Sequence, residues 1–278
     1  MRRFVLLSLT VALLFGTSLS TAQEAPSAEV TVRDTDGDGV DDELDACPAD
    51  FGPANSNPKK TGCTARALAR AWVLDFLVKY APPGHKTYFK EAEETKEEAL
   101  ARYRGVARDL VSVVYDPNVK PLFAGATGRS QTISLMLGVM FWETSIRRDV
   151  DYGLGKHARG DHGRSWCLMQ INIGDGKTPG GISGEELVRD RRECFREGLK
   201  IIRGSFLSCR ELPLDERLSS YASGSCDRGH DKSKQRVRTG MQWFSHSTRS
   251  FKDVDAVSEE DDPVRVSPPN QPLLARTG

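Results

Sequence analysis

Glu143 stands inside a hydrophobic run, GRSQTISLMLGVMFWETSIRRDV, from Gly128 to Val150. At helical spacing Met136, Met140, Glu143 and Arg147 share one stripe, with Ile133, Leu137 and Thr144 beside it. Burial disfavours the charged form of a carboxylate, so one on an apolar helix face either finds a cation or titrates higher than usual. The first outcome is an ion pair with Arg147 or with an arginine from elsewhere in the chain. The second is a general acid suited to work near neutral pH. A separate chemistry is written in DTDGDGVDDELDAC. There Asp34, Asp36, Asp38, Asp42 and Asp45 occupy positions 1, 3, 5, 9 and 12 of a loop, with Gly39 at the sharp turn of position 6 and the Val40 carbonyl at position 7. Hard oxygen ligands at that spacing wrap around a calcium ion. A solvated acidic linker is the plain alternative.

The elements that must position Glu143 read as helices. TARALARAWVLDFLVKY places Ala67, Leu68, Ala71, Leu74, Phe76 and Leu77 around one face and ends near Pro82. A second helix is expected from Thr87 to Tyr115, stopping at Asp116-Pro117, and the third carries Glu143. A fourth opens with a capping box, Ser183 and Glu186, and runs toward Gly204. Two shorter ones follow, near Asp215 to Ala222 and Lys232 to Phe244. Between the third and fourth lies a Gly-rich stretch whose β-like run, Cys167 to Ile173, suits a small hairpin. The fold class is mainly α: helices around a cleft, one loop-rich β lobe, and a short calcium-loop segment in front.

The 278 residues divide into four parts. Residues 1–22 read as a secretion signal: Arg2 and Arg3, an apolar stretch from Phe4 to Phe15, and small residues Ser20 and Ala22 before a cleavage point. That stretch is short of the roughly 20 residues that span a bilayer, and no other segment is apolar enough, so the mature chain is expected to be secreted or periplasmic with no membrane span. Residues 23–63 form an acidic segment too small for its own core. Residues 64–247 suffice for one globular domain. Residues 248–278, with SEEDDP and SPPNQP, read as a disordered tail. Six cysteines without a CxxC pair suit disulfides in an exported protein, and Cys63 is the natural partner of Cys47. That bridge would stabilise the acidic segment by about 3 kcal/mol. His157 and His162 flank Asp161 without a recognised ligand spacing. The formal net charge is zero, yet residues 23–63 hold 10 acids and 3 bases, and residues 64–249 hold 23 acids and 31 bases. The central region thus suits an anionic polymer. No nucleic-acid-binding motif accompanies the charge, and nucleic acid is not the expected partner.

Three short motifs then fall in order: Glu143-Thr144-Ser145, CLMQIN from Cys167 to Asn172, and YASG from Tyr221 to Gly224. Their order and spacing resemble the catalytic domains of soluble lytic transglycosylases and goose-type lysozymes. Those families carry Glu-Ser at a helix end, then Gly-Leu-Met-Gln-Ile, then Ala-Tyr-Asn-Ala-Gly. Here Thr144 is inserted before Ser145 and Cys167 replaces a glycine. The resemblance covers roughly Ile133 to Trp243. It implies a lysozyme-like domain that cleaves peptidoglycan glycan strands with no cofactor for catalysis. Glu143 would be the general acid, while Ser145, Leu168, Met169, Gln170 and Asn172 would line the sugar cleft and Tyr221 would orient Glu143. The acidic segment, with Cys47-Pro48 after its aspartates, resembles a single thrombospondin type 3 repeat, which implies a structural calcium ion. Hydrolysis with inversion needs a second carboxylate to activate water, whereas a lytic transglycosylase needs none. Asp149, Asp151, Asp161 and Asp175 lie near in sequence, and Asp161, in the Gly-rich lobe, is the favoured one. Cys167 and Cys226 each adjoin a motif and are expected to pair, leaving Cys194 with Cys209 and requiring a bend near Gly204. The competing reading is a non-catalytic wall-binding or calcium-stabilised protein that keeps the fold.

Overall fold

Thr64 starts the first helix, α1 (Ala65–Tyr80), by accepting the Ala67 N–H at 3.0 Å. The second, α2 (Lys96–Val114), starts later than the periodicity suggests. A single 3₁₀ turn, Lys90–Ala92, precedes it, and a capping box fixes its origin: Thr95 N–H donates to Glu98 at 2.8 Å and Glu98 N–H to Thr95 at 3.1 Å. The structure is a computed structural model and describes residues 33–35, 40–45, 47, 58, 61–174 and 176–256, with side chains through residue 246. The expected signal segment therefore lies outside the described residues, as do Asp36, Asp38 and Asp175.

The long third helix of the sequence reading is two helices. α3 (Gly128–Thr144) ends where Ser145 and Ile146 both take left-handed conformations, and α4 (Arg148–Tyr152) follows. The expected fourth helix is likewise broken. α5 (Gly184–Arg189) keeps its Ser183–Glu186 capping box, but Asp190 then adopts an extended conformation and caps α6 (Arg191–Ser208) through the Arg192 N–H at 2.9 Å. α6 runs straight through Gly204. After a 3₁₀ turn at Leu214–Glu216 come α7 (Ser219–Ser223) and α8 (His230–Ala256), the last passing beyond residue 247, where disorder was expected to begin. Among the described residues the sheet is one antiparallel pair, β1 (Ser165–Trp166) and β2 (Ile171–Asn172), with Trp166 opposite Ile171. Most of the expected β run is thus the turn between the strands.

The disulfides differ from expectation for the same reason. Cys194 near the start of α6 and Cys209 at its end are held apart by an unbroken helix, roughly 22 Å at 1.5 Å per residue. Cys194 instead meets Cys167 in the hairpin turn, with Cα atoms 6.2 Å apart, and Cys209 meets Cys226 beyond α7, at 5.4 Å. Cys47 pairs with Cys63 as the spacing indicated, and no cysteine is free.

One core joins the helices. On α1 its buried residues are Ala67, Ala69, Trp72, Val73, Phe76 and Leu77, so the buried face is rotated from the expected one and Ala71 is exposed. Nearly every residue of α3 from Gly128 to Met140 is buried, because α3 is the central helix with neighbours on several sides. Its closest neighbour is α8. A Cβ on Gly138 would run into the Arg236 carbonyl, and one on Gly240 into the Ser134 carbonyl. These two glycines let the backbones touch, which brings the α8 side chains to the end of α3 where Glu143 sits. Trp243 of α8 packs against Phe76 and Trp72 of α1, with ring centroids 5.4 and 5.6 Å apart. Among the described residues no helix is long and apolar enough to cross a membrane.

Candidate active site

Glu143 projects from the last turn of α3 with its side chain 18% exposed. The arginine it meets comes from α8. Arg236 Nε and Nη2 lie 2.8 and 2.7 Å from the same oxygen, Oε1, while Oε2 has no hydrogen-bond partner among the described residues. Arg147, the arginine on the same stripe, instead pairs with Asp149 at 3.0 and 3.1 Å. Burial pushes the Glu143 carboxyl above the usual carboxylate range. The Arg236 charge and hydrogen bond pull it back without cancelling the rise, the negative charge of Asp161 adds to it, and Lys232 opposes it.

Asp161 comes from the loop that enters β1. Its Oδ2 accepts the Ser165 hydroxyl at 2.6 Å and the Asn172 amide at 3.2 Å. The Ser165 hydrogen bond holds its carboxyl below the ordinary range, with further help from Asn172, Arg164 and His162 against a modest burial effect. Asp161 is exposed and ionised, and its charge is felt at Glu143. Asp149 and Asp151, the other nearby carboxylates, are buried and engaged elsewhere. Asp151 receives Arg191 Nε at 2.8 Å and Nη2 at 2.9 Å and lies 3.5 Å from Arg102 Nη1. These ion pairs tie α4 to α2 and α6, whereas the Asp161 charge acts on Glu143.

The remaining motif residues divide by role. Tyr221 lies close enough to Glu143 that the carboxylate raises its phenol, alongside a larger effect of burial. Its hydroxyl, however, donates to the Met169 carbonyl, so it ties α7 to the hairpin turn. Leu168 and Met169 are buried in the core. Gln170 spends its amide on the backbone: its oxygen accepts Gly160 N–H at 2.9 Å and its nitrogen donates to Cys167 O at 3.1 Å. Asn172 is exposed and holds Asp161. Ser145 is exposed, and its hydroxyl has no partner among the described residues, whereas Thr144 is buried and donates to Met140 O at 2.8 Å. Ser223 closes the turn after α7, donating to Ser219 O at 2.9 Å.

Backbone strain concentrates here. Ser145, Ile146, Asp161, His162, Cys167 and Gln170 are the described non-glycine residues with positive φ, between 44° and 59°. All six flank Glu143 or build the lobe that carries Asp161. For a β-branched residue such as Ile146 this conformation is costly. It is held by a side chain only 1% exposed and by an N–H that donates to Thr144 Oγ1 at 3.1 Å. Strain of this kind persists where surrounding structure over-determines it, and it collects at functional sites. The sequence contains no signal for it, because none of the six is a glycine, while Arg236 was missed because it lies 93 residues from Glu143.

The acidic segment is described only in part. Asp45 is nearly buried, and its Oδ2 has no hydrogen-bond partner among the described residues, which suits a cation ligand. Asp42 engages both oxygens, with the Thr35 N–H at 2.8 Å and the Thr35 hydroxyl at 2.6 Å, and Arg33 lies 3.1 Å away. Among the described residues no group of three or more His, Cys, Asp or Glu side chains is arranged to hold a metal. Comparison with family models, curated proteins and solved structures finds no match for this chain.

Proposed function

We propose that this chain is an exported enzyme that cleaves the β-1,4 bond between N-acetylmuramic acid and N-acetylglucosamine in peptidoglycan, by hydrolysis with inversion. The observation that carries the reading is a largely buried Glu143 at the end of α3, with Oε1 held by Arg236 and its carboxyl displaced upward, while the exposed Asp161 carboxyl, whose charge acts on it, is displaced downward. Two titratable groups pushed apart by their environments suit an acid and a base acting together. Arg236 anchors Oε1, and Oε2 carries the proton. That proton passes to the glycosidic oxygen as the C1–O bond breaks and its electron pair leaves with the oxygen. Asp161 takes a proton from a water whose oxygen attacks C1 from the opposite face, so the anomeric configuration inverts. Ser165 and Asn172 hold Asp161 ionised for that step. The three motifs that resemble goose-type lysozymes and lytic transglycosylases support the same substrate, and the three disulfides suit an oxidising compartment.

The N-terminal loop is proposed to hold a structural calcium ion through Asp34, Asp36, Asp38, the Val40 carbonyl, Asp42 and Asp45. The buried, unpartnered Asp45 oxygen is what favours it.

The Arg236–Glu143 ion pair favours one competing reading, a wall-binding protein in which that pair is only structural. Digestion of purified peptidoglycan by the mature protein beside Glu143→Gln, read by mass spectrometry, separates the readings. Reducing-end muropeptides from the wild type only are the expected result. Anhydro-muropeptides would replace hydrolysis by transglycosylation with no role for Asp161. Binding with no products from either protein would leave the binding reading.

A further inference from the structure

Neighbouring residues on a strand point to opposite faces. Ser165 turns toward Asp161, and Trp166 lines a cavity of about 840 Å³ that the proposed cleavage does not use. Residues of α2, α4, α5 and the start of α6 form its other walls. Gly184 at the start of α5 makes room for Trp166, since a Cβ there would collide with the indole. The lining carries five arginines, Arg108, Arg159, Arg189, Arg191 and Arg192, and three acids.

Two of the acids are already engaged. Asp109 takes Arg191 at 2.7 Å and Arg108 at 3.1 Å, with Arg192 at 3.6 Å, and Asp190 caps α6. Arg191 is shared between Asp109 and Asp151. Glu185 is the third acid. Among the described residues no carboxylate lies within ion-pair distance of Arg159 or Arg189, although the Arg189 charge acts on Glu186, and both arginines are exposed. The Arg159 guanidinium carbon lies over the Trp166 ring, 3.7 Å from its centroid, and the Arg159 side chain makes no hydrogen bond among the described residues. A stacked guanidinium of this kind recognises a carboxylate through two parallel hydrogen bonds. Trp166, Tyr152 and Val188 make part of the wall apolar. The volume lies in the range of clefts that hold ligands of drug or short-peptide size and far exceeds a bare inorganic anion.

We propose that this cavity binds an acidic peptide, with Arg159 and Arg189 gripping its carboxylates and Trp166 and Tyr152 covering its apolar portion. On the peptidoglycan reading the natural source is the stem peptide of the wall. Only that source rests on the reading, because none of Glu143, Arg236, Asp161, Ser165 and Asn172 lines the cavity.

Isothermal titration of the mature protein with a synthetic acidic tripeptide and with its fully amidated counterpart tests the site. Saturable binding of the acidic peptide alone is expected, weakened at least tenfold in Arg159→Gln and in Arg189→Gln. Near-ultraviolet circular dichroism checks that these surface variants keep the wild-type packing. Glu143→Gln is expected to bind the peptide as the wild type does, so a failure of the cleavage reading leaves this result untouched. Absence of acidic-peptide binding, or equal binding in the arginine variants, would overturn the proposal. Displacement of the peptide by an equal concentration of inorganic phosphate would also overturn it, in favour of a simple oxyanion site.

Discussion

At the scale of single residues, the proposed chemistry turns on how the two oxygens of one carboxylate differ. Glu143 Oε1 is anchored by Arg236, and Oε2 has no hydrogen-bond partner among the described residues. Replacing the carboxyl by an amide in Glu143→Gln is expected to lower turnover on peptidoglycan by about 10²- to 10⁴-fold while sedimentation with the wall stays intact. Because the acid must be protonated, activity is expected to fall as pH rises through the elevated Glu143 range. Because the base must be ionised, it is expected to fall again as pH drops through the depressed Asp161 range. Arg236 favours the ionised form of Glu143. Its removal in Arg236→Met is expected to move the alkaline limb of kcat/KM to higher pH, and an unmoved limb would deny Arg236 that influence.

At the scale of elements, the site depends on a helix crossing and a bridge. Gly138 and Gly240 bring α3 and α8 into backbone contact, which places Arg236 beside Glu143. Gly138→Val is expected to cost about 1 to 3 kcal/mol by overpacking, measured by urea denaturation, and to shift the activity–pH profile as Arg236→Met does. The Cys167–Cys194 bridge staples the hairpin turn to α6 across 27 residues. Removing both cysteines is expected to lower stability by about 3.5 kcal/mol on the loop-entropy relation, read as a fall in Tm. The capping box at Ser183 was legible in the sequence, since it involves residues three apart, whereas the one at Thr95 moves the start of α2 away from the expected Thr87. The breaks at Ser145 and Asp190 were not: apolar periodicity continues through the first, and the second is set by a cap that restarts the helix.

At the scale of the whole molecule, an acidic front segment precedes a basic helical domain, and the Cys47–Cys63 bridge closes the former. If the loop holds calcium, saturating ion at about 100 times its Kd stabilises the loop-bearing state by about 2.7 kcal/mol. Calorimetric scans with calcium and with chelator are therefore expected to differ in Tm, and Asp45→Ala is expected to abolish the difference. Identical scans for the wild type would remove the calcium proposal and leave the glycan-cleaving one standing.

The sequence by itself determined what neighbours along the chain decide: the helical class, the Ser183 cap that starts α5, the Glu143 position on an apolar helix, and the Cys47–Cys63 pair. These follow from periodicity, capping chemistry and loop length, all of which act over a few residues or one short loop. Tertiary structure alone decided the rest. Arg236 rather than Arg147 meets Glu143, Cys194 pairs with Cys167, and Asp149 and Asp151 are locked into ion pairs while the exposed Asp161 is held by Ser165 and Asn172. Each of these depends on where two helices cross or a loop folds back. That geometry is set by packing between distant segments, and no local pattern of residue types encodes it.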